Sequence, residues 1–252
     1  MNNNLRQLVI DEFSGQNAQE QYIKAAEKGL WDSEKYFIEK YFINHQGHVL
    51  DLGCGTGRTT FPLGKIGYNV VGVDLAPAMI ENAKKVALKL GESVDFRVGD
   101  ALNLEFLDNS FDYVLFSNQG LTQIPDSKNR LTALNQIYRV LKPNGILIFT
   151  AHQRVWWSEN LLFWLKQWLR FYILKRIGFR LDELDFGDRF FDHDSITNAI
   201  YNTKQYIHIP SINEVKRQIG QTNLKILEIN NKLQISQNDV RRFPPTFFIC
   251  QK

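Results

Sequence analysis

Residues 48–52, His48-Val49-Leu50-Asp51-Leu52, are a short apolar run, and Gly53, Gly55 and Gly57 follow at alternate positions. No other stretch constrains the fold as strongly. An apolar run of this length without polar alternation reads as a strand buried on both faces, as in a parallel sheet. Residues 56–66 then read as the opening of a helix. Strand, glycine turn and helix start make a corner where a nucleotide-like ligand can approach bare backbone. Glycine admits positive φ without a Cβ, and a helix start offers unpaired N–H groups. The dinucleotide fingerprint G-x-G-x-x-G does not fit, because its third glycine falls at position 58, which is Arg58.

The alternation continues downstream. Residues 69–74 form a second apolar strand ending in Asp74. An acid at the tip of the second strand of a Rossmann-type unit lies where a ribose edge would sit. Its carboxylate can accept both ribose hydroxyls; the other reading is a surface turn acid. Pro77 suits the first turn of a helix running to about residue 90. Residues 94–98 read as a third strand, followed by Gly99-Asp100-Ala101, and residues 109–118 as a fourth with its entry turn. A helix over 126–141 places Leu131, Leu134, Ile137, Tyr138 and Leu141 on one face. Lys142-Pro143-Asn144-Gly145 stops it and feeds a fifth strand, 146–151. Ser211 is the expected N-cap of a helix over 212–219, with Glu214 at capping-box distance. Residues 224–229 and 245–251 are the last two strands, paired antiparallel.

The D-x-G-x-G-x-G run at 51–57, Asp74, the Phe111-Asp112 opening of the fourth strand and the L-K-P-x-G turn at 141–145 resemble class I S-adenosylmethionine (SAM)-dependent methyltransferases. The likeness is to the small-molecule group with a methyltransferase type 11/25-like domain. It covers residues 47–151 well and 206–251 loosely. It implies an α/β fold: a Rossmann-like, seven-stranded, mostly parallel sheet of order 3-2-1-4-5-7-6, last strand antiparallel, with helices on both faces. It implies SAM as cofactor, S-adenosylhomocysteine as product and a small-molecule acceptor. It places Asp51, Gly53, Cys54, Gly55, Thr56 and Gly57 in the cofactor loop and Asp74 on the ribose. Leu75 would flank the adenine; Met79 would do the same or belong to the core. Asp100 and Ala101 would meet the adenine amine and ring, and Ser117 and Asn118 would end the fourth strand at the site. Tyr22 and Trp31 either pack the N-terminal segment on the sheet or touch the cofactor as part of a lid. Cys54 reads as a small residue in a tight loop rather than a nucleophile.

The same motifs weaken macromolecular substrates. Nucleic-acid amine methyltransferases carry a proline pair and an aromatic after the fourth strand, where this chain has Ser117-Asn118-Gln119-Gly120. Protein arginine methyltransferases carry two glutamates in a loop, and no glutamate lies between Phe106 and Ala151. A net charge of +3, from 30 basic and 27 acidic residues, does not by itself argue for nucleic acid. The two cysteines, Cys54 and Cys250, form no C-x-x-C pair, so neither a zinc site nor a disulfide framework is indicated. The polar start Met1-Asn2-Asn3-Asn4 lacks the features of a signal peptide, and a cytoplasmic location is expected.

At 252 residues the chain suits one large α/β domain with an insertion. The expected division is an N-terminal helical segment at 1–46, a SAM-binding core at 47–151, an insertion at 152–207 and the rest of the sheet at 208–252. In the first part, helices are expected over 18–28 and 33–43, the second capped by Ser33. The insertion holds Trp156, Trp157, Trp164 and Trp168, four of the chain's five tryptophans. Lys166, Arg170, Lys175, Arg176 and Arg180 interrupt its apolar stretch, which excludes a membrane span. Three readings stand: a substrate lid, the expectation taken forward; extra core or an oligomer contact; and a helix lying on a membrane to reach a lipid-like substrate. The acids at 182–194 read as a loop cluster rather than a metal site.

Methyl transfer from a sulfonium expels a neutral thioether, so positioning supplies most of the acceleration. A general base is needed only for a weak nucleophile such as an alcohol. His152, His193 and His208 are the candidate bases, each with a structural role as the alternative. A SAM-binding protein without turnover is the alternative to an enzyme.

Overall fold

The computed structural model describes residues 3–156, 160–191 and 204–252. The assignments made for Trp157 and His193 lie outside the described residues. Three helices, α1 (Asn3–Ser14), α2 (Gln16–Lys28) and α3 (Asp32–Tyr41), precede the first strand. β1 (His48–Leu52) follows, and then α4 (Thr60–Ile66), β2 (Asn69–Asp74), α5 (Pro77–Leu90) and β3 (Asp95–Val98). β4 (Phe111–Phe116), α6 (Ser127–Val140) and β5 (Leu141–Ala151) complete the parallel part. The insertion contributes α7 (Leu161–Leu169) and a two-stranded ribbon of β6 (Asp188–Phe191) and β7 (Gln205–His208). α8 (Ile212–Ile219), β8 (Lys225–Asn230) and β9 (Thr246–Gln251) close the fold.

β1 lies inside the sheet because its side chains are apolar on both sides. It pairs in parallel with β2 and with β4. The order β3-β2-β1-β4-β5-β9-β8, with β9 antiparallel to both neighbours, is the expected 3-2-1-4-5-7-6 counted within the sheet. Alternate residues divide between two cores, as the period of a strand requires. Leu50, Val114, Leu147 and Phe248 pack on one side with Leu134 and Ile137 of α6. Val49, Leu115, Ile148 and Phe247 pack on the other with Phe37 and Ile38 of α3. The strand order reverses at β1, so a crevice opens where β1 and β4 end, the usual ligand position in such sheets.

Several local expectations are corrected. The helix expected from residue 56 begins at Thr60, because residues 55–59 form turns in which Gly55 and Gly57 have positive φ. The buried stripe of α6 runs through Arg130, Ala133, Leu134, Ile137 and Val140, so Leu131 and Tyr138 sit at its margins. Ser33 does not cap α3. The helix starts one residue earlier, at Asp32; Ser33 is buried inside the first turn, and Glu34 accepts the Trp31 backbone N–H at 2.7 Å. Ser211 does cap α8, accepting from the Glu214 N–H, but the Glu214 carboxylate turns away to other partners. The acids of the insertion are not simply a loop cluster, since Asp188 is 3% exposed and sits in a strand.

Candidate functional site

A cavity open at its mouth, with about 870 Å³ of empty space when the solvent at the mouth is included, lies at the ends of β1, β2, β3 and β4. Its floor is built from the loop after β1. Gly53 and Cys54 donate N–H groups to Val73 O, which ties the loop to β2. Gly55 has φ 53°, and a Cβ there would sit 3.2 Å from the Tyr22 ring, so backbone alone faces the cavity at that point.

Asp74 ends β2 with its carboxylate held by backbone. Gly55 N–H donates to Oδ2 at 2.8 Å and Ala76 N–H to Oδ1 at 2.9 Å. Burial pushes its carboxyl up, and these N–H groups oppose that. The Leu75 N–H acts in the same sense, and the carboxylate's four lone-pair sites still leave acceptor capacity. Asp100, at the end of β3, accepts Leu102 N–H on Oδ1 and Arg6 Nε on Oδ2, at 2.9 and 3.1 Å. Leu75, Met79, Ala101 and Leu102 give the intervening wall an apolar surface. Ser117 and Asn118 close the β4 side, and Arg6, Val9, Phe13 and Tyr22 from α1 and α2 form the roof.

The structure therefore brings Gly53, Gly55, Asp74, Leu75, Met79, Asp100, Ala101, Ser117, Asn118 and Tyr22 around one cavity. Five residues expected there lie behind it. Asp51 is 1% exposed and accepts the hydroxyls of Thr59 and Thr60, each at 2.6 Å. Burial pushes its carboxyl up to about 6 against those hydroxyls and the Arg58 charge. Cys54 packs with Phe61, Ile80 and Phe96, and burial raises its thiol further. Gly57 has φ 95°, and a Cβ there would collide with the Phe61 ring, so this third glycine serves packing. Thr56 donates its hydroxyl to Tyr22 O at 2.6 Å, fastening α2 to the loop. Trp31 lies 4.6 Å from the Arg58 guanidinium, ring centroid to carbon. Arg58 in turn forks onto Glu34 at 2.6 and 2.7 Å and reaches Gly29 O. Ser117 also donates to the buried Glu34. The residue that breaks the dinucleotide pattern thus anchors the N-terminal segment.

Neither of the two described candidate bases, His152 and His208, lines the cavity. His152 is pushed down to about 4 by burial and by Arg241. His208 is fully buried, with Nδ1 2.7 Å from Asp188 and Nε2 2.7 Å from Glu214. Arg154 pairs with Glu214 at 3.0 Å, and Arg130 with Asp185 at 2.7 Å. Oxygens of Asp185 and Asp188 and a His208 nitrogen lie within 4.8 Å of one another, as metal ligands would. Their lone pairs are committed otherwise: Asp188 accepts from Tyr206 OH and from the N–H groups of Leu184 and Asp185. The set reads as an internal ion network, in which the buried Nε atoms of Arg130 and Arg154 are left without a partner.

The roof residues Arg6, Val9 and Phe13 escaped the sequence reading, as did Gln123, Ile124 and Pro125 on the wall. The apolar spacing of Leu5, Val9 and Phe13 could have indicated an amphipathic helix, though not where it docks. The described residues of the insertion do not line the cavity; among the described residues, those that roof it come from α1 and α2.

Residues 49–145 match the methyltransferase domain family. A putative methyltransferase of Bacillus subtilis is 31% identical over 107 residues, 42% of this chain and 43% of its own length. A demethylmenaquinone methyltransferase of Lactobacillus johnsonii is 39% identical over 116 residues, 44% of this chain and 46% of its own. The chain thus spans less than half the length of these relatives. The crystal structure of a SAM-dependent methyltransferase from Methanosarcina mazei superposes with a TM-score of 0.69 at 24% identity, covering 89% of this chain and 98% of that one. Residues 49–145 thus match a methyltransferase domain, and the chain has the fold of a SAM-dependent methyltransferase.

Proposed function

We propose that the protein transfers a methyl group from SAM to a small-molecule acceptor and releases S-adenosylhomocysteine. The observation that carries this is Asp74, a carboxylate held by two backbone N–H groups at the edge of the cavity with acceptor capacity to spare. Bound there, SAM supplies a methyl group already activated by its sulfonium. The chain's own residues supply the rest. Asp74 accepts the ribose hydroxyls. Asp100 accepts the adenine amine beside Arg6, and Leu75, Met79 and Ala101 enclose the ring. Backbone at Gly53 and Gly55 admits the methionine end. Phe13 and Tyr22 exclude water above. With no histidine among the described lining residues, the reading is transfer by alignment to a nucleophile that needs no base.

Calorimetry with SAM tests the site. Asp74→Ala should weaken binding by about 1.5–3 kcal/mol, roughly ten- to a hundredfold. Because Asp74 also holds Gly55 and Ala76, circular dichroism must show the variant folded. Wild-type affinity in a folded variant rejects the ribose assignment. Release of S-adenosylhomocysteine with an acceptor panel separates an enzyme from a protein that only binds.

A further inference from the structure

From Leu161 to Arg180 the chain carries five basic residues and no acid. α7 and the π-helical turn Arg170–Leu174 that extends it turn one side inward. Trp164 is 5% exposed and meets the Phe186 ring edge-on, with the Arg154 guanidinium 5.7 Å from the indole. The other side is left uncovered by the described residues. Leu162, Leu165, Leu169, Ile173 and Ile177 recur at i, i+3, i+7, i+11 and i+15, and each is exposed, from 44% at Ile173 to 77% at Leu162. They make one apolar stripe, flanked by the exposed Trp168 and Tyr172. Arg170 and Lys175 bend back onto Glu183. Lys166, Arg176 and Arg180 form no ion pair with a described residue.

A stripe of this kind marks an interaction surface, and its charge selects the partner. A second copy docked through the same face would set cations against cations, which opposes association. No helix of the described residues is long and apolar enough to cross a membrane. An apolar stripe with only positive charge at its flanks, and Trp and Tyr at its border, fits the boundary between anionic headgroups and acyl chains. We propose that this face of α7 and its extension binds the surface of an anionic lipid bilayer, the helix lying in the membrane plane. The proposal goes beyond methyl transfer and does not depend on it.

Flotation of the full chain with vesicles tests it. Phosphatidylcholine vesicles containing phosphatidylglycerol should carry the protein at least roughly tenfold better than phosphatidylcholine alone, and high salt should reduce that binding. Tryptophan emission should shift to the blue on binding, and Trp168→Phe should diminish the shift. Two variants, Leu165→Glu/Leu169→Glu and Lys166→Glu/Arg176→Glu/Arg180→Glu, alter exposed side chains only, and each should lose roughly tenfold or more in flotation. Circular dichroism and SAM calorimetry on the same samples show that fold and cofactor site are intact, so a failure here is distinct from a failure of the methyltransferase reading. No flotation, equal flotation on both vesicle types, or wild-type flotation by either variant overturns the proposal. So does a dimer that Leu165→Glu/Leu169→Glu dissociates while the wild type ignores vesicles.

Discussion

α1 and α7 both stand outside the alternation of strand and helix, and they are treated oppositely. α7 is far the more apolar, Leu-Leu-Phe-Trp-Leu-Lys-Gln-Trp-Leu, yet of its residues only Trp164 is buried. α1 carries Asn, Arg, Gln, Asp and Glu, yet it roofs the cavity. Its polar residues have partners waiting. Arg6 meets Asp100, and the buried Glu12 accepts the Tyr206 N–H at 3.2 Å. Lys166, Arg176 and Arg180 meet none among the described residues. Apolar content measures how much a helix gains from burial; the docking position is decided by where its polar groups can be satisfied.

Glu34 holds the N-terminal segment through Trp31 N–H, the Arg58 fork and Ser117, and it is fully buried. Glu34→Ala leaves Arg58 uncompensated and should cost about 3–5 kcal/mol in urea unfolding. A loss below about 1 kcal/mol would mean the segment is not held through this pair.

Glu12 sharpens the contrast through pH. Burial raises its carboxyl from 4.5 to about 7, the Tyr206 N–H opposing. Below pH 4.5 the group is protonated folded and unfolded, and its contribution is whole. Between 4.5 and 7 only the unfolded chain ionises, so stability falls as pH rises, by about 3 kcal/mol in all. Glu12→Gln should remove that slope and be the more stable protein at pH 8. Identical pH profiles for variant and wild type would place Glu12 in solvent.

Arg6→Ala should do less. Its pair with Asp100 is partly exposed, 36% and 26% for the two side chains, so stability should change by about 1 kcal/mol or less. Smallest of all, the triple charge reversal Lys166→Glu/Arg176→Glu/Arg180→Glu should shift the unfolding midpoint by no more than a surface change does, about 0.5 kcal/mol. A large loss there would show that these three cations are structural.

Much of the candidate site's lining was legible because its signals are local. The strand from His48 to Leu52, the glycines behind it and Asp74 at the next strand tip are each set by a few consecutive residues. That is why Gly55, Asp74 and Asp100 surround the expected crevice. The same locality misled at Gly57, Cys54 and Thr56. They share the loop, but Phe61, Phe96 and Tyr22 claim them from elsewhere in the fold. His208 likewise looked like a base by type alone, and only packing showed both nitrogens engaged.

By itself the sequence determined the sheet, its glycine corner and the acids at its strand ends, because apolar periodicity and turn chemistry act between near neighbours. Tertiary structure decided what covers that corner and what stays bare. The Arg6–Asp100 and Glu12–Tyr206 bonds join residues 94 and 194 positions apart. Contacts at such separations depend on which groups the folded sheet leaves unsatisfied, and no local pattern encodes that.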